Sequence, residues 1–386
     1  MTASFRPPLP AALLVLLLAL LMPSCHARPG AEIGRRGDEI MVCGRLFHTG
    51  GAPVVLWIDP GGYDAYRTEK RFGPLEQAAW SMAATNAAGT SAPPAGLNNP
   101  PTPNRYGLRR AGLGPDDLER VRGGGWDLPT LQGVIDQFVI HYDACGTSRQ
   151  CFRILHDSRG LSVHFLLDVD GTIYQTLDLK ERAWHATTSN DRSIGIEIAN
   201  IGAYQPPRPA AKAGDERTPT SSSDPGAGGD PALTSGQAPL PPPLPAWYAF
   251  DSRGPYLTLP GWMGDGGIRT PNFVARPARP RPVVGEVQGQ TLVMFDLTPQ
   301  QYDSLIRLVA TLCTVFPNLP CDYPRDADGR LITGQLPDDA LAGYRGLLGH
   351  YHVQSNKVDP GPAFDWDKVV AGARRLMVRT ASGETP

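Results

Sequence analysis

The sequence predicts an α/β domain with a mixed central β-sheet flanked by helices, interrupted by a long Pro/Gly-rich insertion. Two short β-branched runs bounded by turn-formers, Phe138-Val139-Ile140-His141 and Ser193-Ile194-Gly195-Ile196-Glu197-Ile198, read as buried strands. Helical spacing appears at 148–157 and again from Thr298, so strand, helix, hairpin and strand alternate as in α/β folds. The 386 residues are 41% apolar, enough for a sizeable core, but 40 Pro and 43 Gly require much loop or linker. A net charge of -2 leaves no basic footprint for nucleic acid, and that class is set aside.

Residues 1–24 read as a targeting segment. Arg6 precedes the apolar run Ala11 to Met22, which is shorter than the roughly 20 residues a membrane span requires. Export to the cell envelope or beyond is expected. Pro23-Ser24-Cys25 then looks like the end of a bacterial lipoprotein signal, in which an acylated Cys25 would attach the chain to a membrane; Met22 and Pro23 depart from that pattern. In an oxidising compartment the close pairs Cys145/Cys151 and Cys313/Cys321 suggest two local disulfides, although four cysteines allow three connectivities. Cys43 is left over if Cys25 carries lipid. The spacings are too long for the usual zinc-ligand pairs.

Residues 25–128 form an N-terminal extension. Within it Ile40-Met41-Val42 and Val54 to Ile58 are expected to make a β-hairpin around His48-Thr49-Gly50-Gly51, with His48 solvated or capping. Residues 84–105 read as linker, and Pro115 to Arg122 as a short helix. The main domain spans 129–376, broken by an insertion at 205–290, and 377–386 is a tail. In the insertion, Gln205 to Pro245 lacks periodicity and is expected to be disordered, whereas the aromatic part beyond Trp247 is expected to pack partly and to border a substrate groove. Ser162 to Asp168 reads as a strand, and Val169-Asp170-Gly171-Thr172 as a hairpin turn. Thr298-Pro299-Gln300-Gln301 offers a capping box, with Tyr302, Leu305, Ile306, Val309, Cys313 and Phe316 on one helical face.

The two buried strands each deliver an ionisable side chain, His141 and Glu197, where a core strand has no use for one. His350 likewise leaves the apolar run Leu347-Leu348, and Lys357 and Asp359 follow in a short loop. Two strand-end histidines and a carboxylate make a three-ligand zinc set with a fourth position for water. Each histidine alone more often serves structure.

These residues match a known pattern. Val139-Ile140-His141-Tyr142, Ser162 to Leu167 with its Asp-Gly turn, Ala183-Trp184-His185-Ala186, Ser193 to Glu197, Gly349-His350 and Lys357 to Trp366 resemble, in order, the zinc-dependent N-acetylmuramoyl-L-alanine amidases. The likeness is to the AmpD-type branch, which shares its fold with phage T7 lysozyme and the peptidoglycan recognition proteins, and it covers about 131–376. The resemblance implies one Zn2+ per chain held by His141, His350 and Asp359, with Glu197 as the catalytic carboxylate and Lys357 stabilising the oxyanion. It also implies a disulfide between Cys145 and Cys151. His164, His185 and Trp184 are candidates for lining the substrate site, the two histidines standing equally well as satisfied core residues, and His156 is assigned to the surface. The chain departs from the family at Tyr351 and His352, which leaves His352 as an alternative ligand behind His350. At Val163, where the T7-like branch has a catalytic tyrosine, it must rely on Glu197.

The resemblance implies hydrolysis of the amide between the lactyl group of N-acetylmuramic acid and L-alanine in peptidoglycan, and the chain is expected to be a monomer. The rivals are a peptidoglycan-binding module without activity, which would lack a ligand position, and an amidase acting on soluble muropeptides.

Overall fold

The computed structural model describes residues 29–79, 105–207 and 240–381. The targeting segment with Cys25, the stretch 84–104, most of the Pro-rich stretch (208–239) and the end of the tail (382–386) lie outside them. The described residues divide after Arg36 into two units. In the first, the described residues 29–36 run as turn and coil. No helix among the described residues is long and apolar enough to cross a membrane.

The second unit holds the strands β1 (Glu39–Val42), β2 (Arg45–His48), β3 (Val54–Leu56), β4 (Tyr106–Leu108), β5 (Gln137–Tyr142), β6 (Phe165–Leu167), β7 (Ile173–Gln175), β8 (Glu181–Ala183), β9 (Ser193–Ile198), β10 (Tyr248–Asp251), β11 (Gly254–Leu257), β12 (Val283–Val287), β13 (Gln290–Met294) and β14 (Gly346–Gly349). Six of them build the central sheet in the order β14-β5-β9-β6-β7-β3. β14, β5, β9 and β6 are mutually parallel, β7 is antiparallel to β6, and β3 is parallel to β7, which gives the mixed sheet expected.

The period of two along β5 and β9 explains their dual character. Phe138, Ile140, Ile194, Ile196 and Ile198 share a core with the helices Pro299–Val315 and Trp366–Ala381. Alternate residues point to the other face, where His141 and Glu197 stand. Helix Pro299–Val315 starts as expected: the Gln301 N–H donates to Thr298 Oγ1 at 3.1 Å, and the Thr298 N–H donates to Gln301 Oε1 at 2.9 Å.

The N-terminal extension differs from expectation. Its hairpin pairs β1 with β2, not residues 40–42 with 54–58, because the chain reverses at Cys43-Gly44, where both φ angles are positive (50° and 70°) as a tight two-residue turn requires. β3 is thereby free to join the sheet edge beside β7, and β4 pairs with β8. The extension is thus built into the main domain. The expected helix at 148–157 is an α-helix over Ser148–Phe152 that widens into a π-helical stretch, Arg153–Ser158. His156 is not at the surface. It is 1% exposed, its Nδ1 lies 2.6 Å from the Asp157 carboxylate, its ring stacks on Phe152, and Arg105 of the extension hydrogen-bonds its other nitrogen. The packed part of the insertion holds the short helices Leu244–Trp247 and Gly261–Met263, the hairpin β10-β11, and β12, which pairs with β13 at the insertion's end.

Asp168, at the end of β6, is fully buried, and its Oδ1 accepts the Val169 N–H at 2.8 Å. Burial pushes its pKa from 3.8 up to about 8. The folded chain therefore holds this proton more tightly than the unfolded chain, so the stability it contributes is complete below the unfolded pKa and is lost as pH rises through the folded one. Asp168→Asn should raise Tm at pH 8 and leave it nearly unchanged at pH 3. The gain grows by at most roughly 1.4 kcal/mol for each pH step of one between the unfolded and folded values. Thermal melts across this range check it, and a gain independent of pH would contradict it.

Candidate active site

β5 and β9 pair in a register that sets His141 beside Glu197. β14 flanks β5 with Gly349 opposite Ile140, and His350 follows at once as the first residue of the short helix His350–Val353. Asp359 comes back at the end of the next loop. The side chains therefore gather at the carboxyl ends of adjacent parallel strands, where open α/β sheets bind their ligands.

Three ligand atoms converge. His141 Nδ1 and His350 Nδ1 are 3.0 Å apart, and each lies 2.9 Å from Asp359 Oδ2. Burial, helped by His350, lowers the His141 pKa to about 4, so this imidazole is neutral at pH 7. Burial works against the Asp359 carboxylate, but His350 and His141 outweigh it and hold its pKa below the ordinary value. The outer nitrogens are occupied: His350 Nε2 lies 2.7 Å from Gln354 Oε1, and His141 Nε2 lies 3.1 Å from His185 Nδ1. If the ring protons are placed outward toward Gln354 and His185, two nitrogen lone pairs and a carboxylate oxygen face one another at close range. Such a set repels itself unless a cation lies among the three, and the donor chemistry fits zinc.

The same residues border a cavity of about 740 Å³, shared with Glu197, Lys357, Trp184 and Arg159. Burial first, then the charges of Asp359 and Asp143, raise the Glu197 pKa well above the ordinary carboxylate value. Its Oε2 is buried without a hydrogen-bond partner among the described residues, in a residue that borders the cavity. Arg192, the cation closest in sequence, is bound instead to Asp136 at 2.5 Å, so Glu197 is not half of a structural ion pair. Lys357 is half-buried and makes no ion pair among the described residues.

The remaining candidates separate. Trp184 lines the cavity with the Arg182 guanidinium 4.0 Å from its ring centroid. His185 also lines it, but its ring is pressed onto β9, where a Cβ on Gly195 would come within 2.5 Å of Nδ1, and it supports His141. His164 lies beneath the site, fully buried: its Nδ1 accepts the Gly195 N–H at 3.1 Å, and its Nε2 lies 3.0 Å from Glu181 O. His352 points away from the cluster. Its Nδ1 accepts the Gly349 N–H at 2.8 Å and its Nε2 donates to Ile332 O at 2.7 Å, so it is a satisfied core histidine.

The cysteines also differ from expectation. All five described ones are free thiols, so neither disulfide is formed here. The Cys145 and Cys151 sulfurs are neighbours within 4.8 Å, but the Cys145 thiol is turned to the Asp143 carbonyl at 2.9 Å.

Three contributors escaped the sequence reading. Gln354 stands four residues after His350, one helical turn away, and that spacing was its signal. Asp143 lines the cavity, its Oδ1 taking the N–H groups of Cys145, Gly146 and Asn200. Arg109, just after β4, is fully buried and donates to the carbonyls of Leu179, Asn190, Asp191 and Ser193, which fastens the loop bearing Trp184 and His185; its sequence neighbourhood carries no sign of this.

Comparison with known proteins bears on the half of the site carried by β5 and β9. Residues 131–214 match the Amidase_2 family model, N-acetylmuramoyl-L-alanine amidase. The resemblance drawn from the sequence blocks is borne out over that segment, and the match supports a hydrolase of the amidase class. The Amidase_2 segment contains His141 and Glu197, whereas His350, Lys357 and Asp359 lie beyond it. Similar solved structures include a selenomethionine derivative of AmpD, at 15% identity and TM-score 0.28, covering 70% of this chain and 91% of that one. Another is the E. coli amidase AmiD in complex with anhydro-N-acetylmuramic acid-L-Ala-D-gamma-Glu-L-Lys, at 17% identity and TM-score 0.30, covering 62% and 57%. A third is the endolysin LysCS from Clostridium intestinale URNW, at 16% identity and TM-score 0.28, covering 63% and 86%. No curated protein matches this chain.

The geometry sets His141, His350 and Asp359 as candidate ligands apart from the residues that support them. His141→Ala, His350→Ala and Asp359→Ala should each abolish stoichiometric zinc, measured by elemental analysis of the purified protein. Gln354→Ala should keep the metal but weaken its affinity by about tenfold in chelator competition. His352→Ala should leave metal content unchanged and cost about 2 kcal/mol of stability, since it orphans a buried N–H and a carbonyl. Loss of metal in the last variant would make His352 a ligand.

Proposed function

We propose that this protein is a zinc-dependent N-acetylmuramoyl-L-alanine amidase that hydrolyses the amide between the muramyl lactyl group and L-alanine in peptidoglycan. The observation that carries this reading is the convergence of His141, His350 and Asp359 in one cavity, with the unpaired carboxylate oxygen of Glu197 beside them. A recognition module that only binds has no need of a complete ligand set or of such a carboxylate. Zinc in this cluster would supply Lewis acidity toward the amide carbonyl and make water nucleophilic near neutral pH.

The protein's own groups supply the rest. Glu197 takes the proton of the attacking water and passes it to the departing alanine amine, and its burial-raised pKa suits a group that must both accept and release a proton. The Lys357 amine faces the charge that develops on the carbonyl oxygen, a role commonly worth roughly 3 kcal/mol for a single donor. His185 and Gln354 hold the two imidazoles so that their Nδ1 atoms point inward. Trp184, backed by Arg182, offers a flat wall for substrate. We further propose that the chain acts in the cell envelope, with the N-terminal segment directing export and Cys25 as the point of lipid attachment, and that it works as a monomer.

Digestion of sacculi with and without chelator, followed by identification of the new termini, tests the reading. The expected products are a muramyl residue with a free lactyl carboxylate and a peptide with a new L-alanine amino terminus, and cleavage at any other bond would sink it. Glu197→Gln should lower turnover by about 10²–10⁴-fold. Because Glu197 must be ionised to act and its pKa is raised, the wild-type rate should fall as pH drops through that raised value; a residual rate in Glu197→Gln with the same acid limb would assign the limb elsewhere.

A further inference from the structure

The helical wall of the catalytic cavity has a second side. Cys151, Ile154 and Leu155 face the catalytic cavity, whereas Arg149, Gln150 and Arg153 of the same segment face a smaller hollow of about 180 Å³. The opposite wall of this hollow is Trp262 from the packed part of the insertion, and Phe72 of the N-terminal extension also contributes. Neither element contributes a residue to the metal cluster.

The hollow is built rather than incidental. Met263 is buried and anchors the turn, which leaves its neighbour Trp262 65% exposed. The insertion lies directly on the helix: a Cβ on Gly267, where φ is +76°, would come within 2.7 Å of Arg149 Cδ. The Gly267 N–H donates to Asp265 Oδ1 at 2.9 Å, which stiffens the turn further. An indole this exposed forgoes burial that the hydrophobic effect would otherwise favour, and indole faces are preferred surfaces for apolar ring faces and cations. Two guanidinium groups stand across from it. Arg149 meets Asp265 at 3.6 Å, but both side chains are largely solvent-exposed, so this ion pair is weak. Arg153 has no ionic partner among the described residues. Guanidinium is the group best shaped to grip a carboxylate, and Gln150 adds an amide that can meet hydroxyl or acetamido groups.

We propose that this hollow binds an acidic saccharide-peptide unit of a peptidoglycan strand, neighbouring the unit whose amide is cut. The identity of the polymer rests on the amidase reading; the class of ligand, a sugar face with a carboxylate, follows from the indole and the arginines. A volume of 180 Å³ holds one such group and not a whole fragment. The two cavities are separated by the thickness of one helix, about 10 Å. A polymer anchored in the catalytic cavity can therefore reach the hollow with an adjoining unit, whereas a single small muropeptide engages the catalytic cavity alone. The insertion thereby gives the enzyme a preference for intact wall over soluble fragments.

The test uses the full chain in two forms. With Glu197→Gln in place so that the polymer survives, binding to purified sacculi is measured by sedimentation, with and without Trp262→Ala and Arg153→Ala. The double substitution should weaken binding by about tenfold, with thermal melts showing the fold intact. In the Glu197-intact form, the same pair should raise KM on sacculi and leave turnover of a soluble single-unit muropeptide within about twofold. Unchanged sacculus binding, absence of sacculus binding in the parent, or equal losses on polymer and fragment would each overturn the proposal. If the intact chain cuts neither substrate while sedimentation still depends on Trp262 and Arg153, the amidase reading falls and the hollow stands.

Discussion

The structure depends on the parallel pairing of β5 with β9. One register sends Phe138, Ile140, Ile194, Ile196 and Ile198 into the helix-covered core, and with the same pleat sets His141 next to Glu197 on the opposite face. A slip of one residue would expose the isoleucines and bury both ionisable groups in hydrocarbon. Core burial therefore enforces the juxtaposition of His141 and Glu197. The stability of the sheet and the geometry of the site are a single requirement.

Around that pair the protein spends buried polar contacts on orientation. His185 and Gln354 occupy the outer nitrogens of the two imidazoles, Arg109 ties down four carbonyls of the loop that presents His185, and His164 holds the β9 backbone at Gly195. The first two contacts keep the rings from rotating, and the others fix the loop and the strand behind them. Glu197 is treated differently: its Oε2 is left without a partner among the described residues, as the proposed proton-transfer role would suit.

Much of this was legible in the sequence wherever local pattern and tertiary role agree. The isoleucine alternation of β9 and the capping box at Thr298 announce their elements because the residues that form them are adjacent in the chain. The histidines at strand ends stood out because a buried strand rarely tolerates them. What the sequence hid was settled by distant partners. β3 reads as one arm of a hairpin until β7 offers it a place in the sheet, and the turn at Cys43-Gly44 needs φ values that a cysteine does not advertise. His156 looks like a surface residue of a helix until Arg105, from a stretch read as linker, closes over it. Arg109 resembles any linker arginine, because its four acceptors come from residues 70 to 84 positions away. The cysteine spacings suggested cross-links, but spacing says nothing of where a thiol turns.

His141 and His350 touch across 209 residues of chain. During synthesis, domains form from the amino-terminal side at about 5–20 residues per second, so the strand bearing His141 is made well before the ribosome reaches β14. For many seconds the nascent polypeptide holds one imidazole and one carboxylate with nothing to complete them. The His141, His350 and Asp359 cluster cannot assemble until Asp359 has been made, and a product truncated before it would own half of the candidate site. The candidate site is thus complete only once β14 and the loop after it have joined β5, a timing written into the order of the strands.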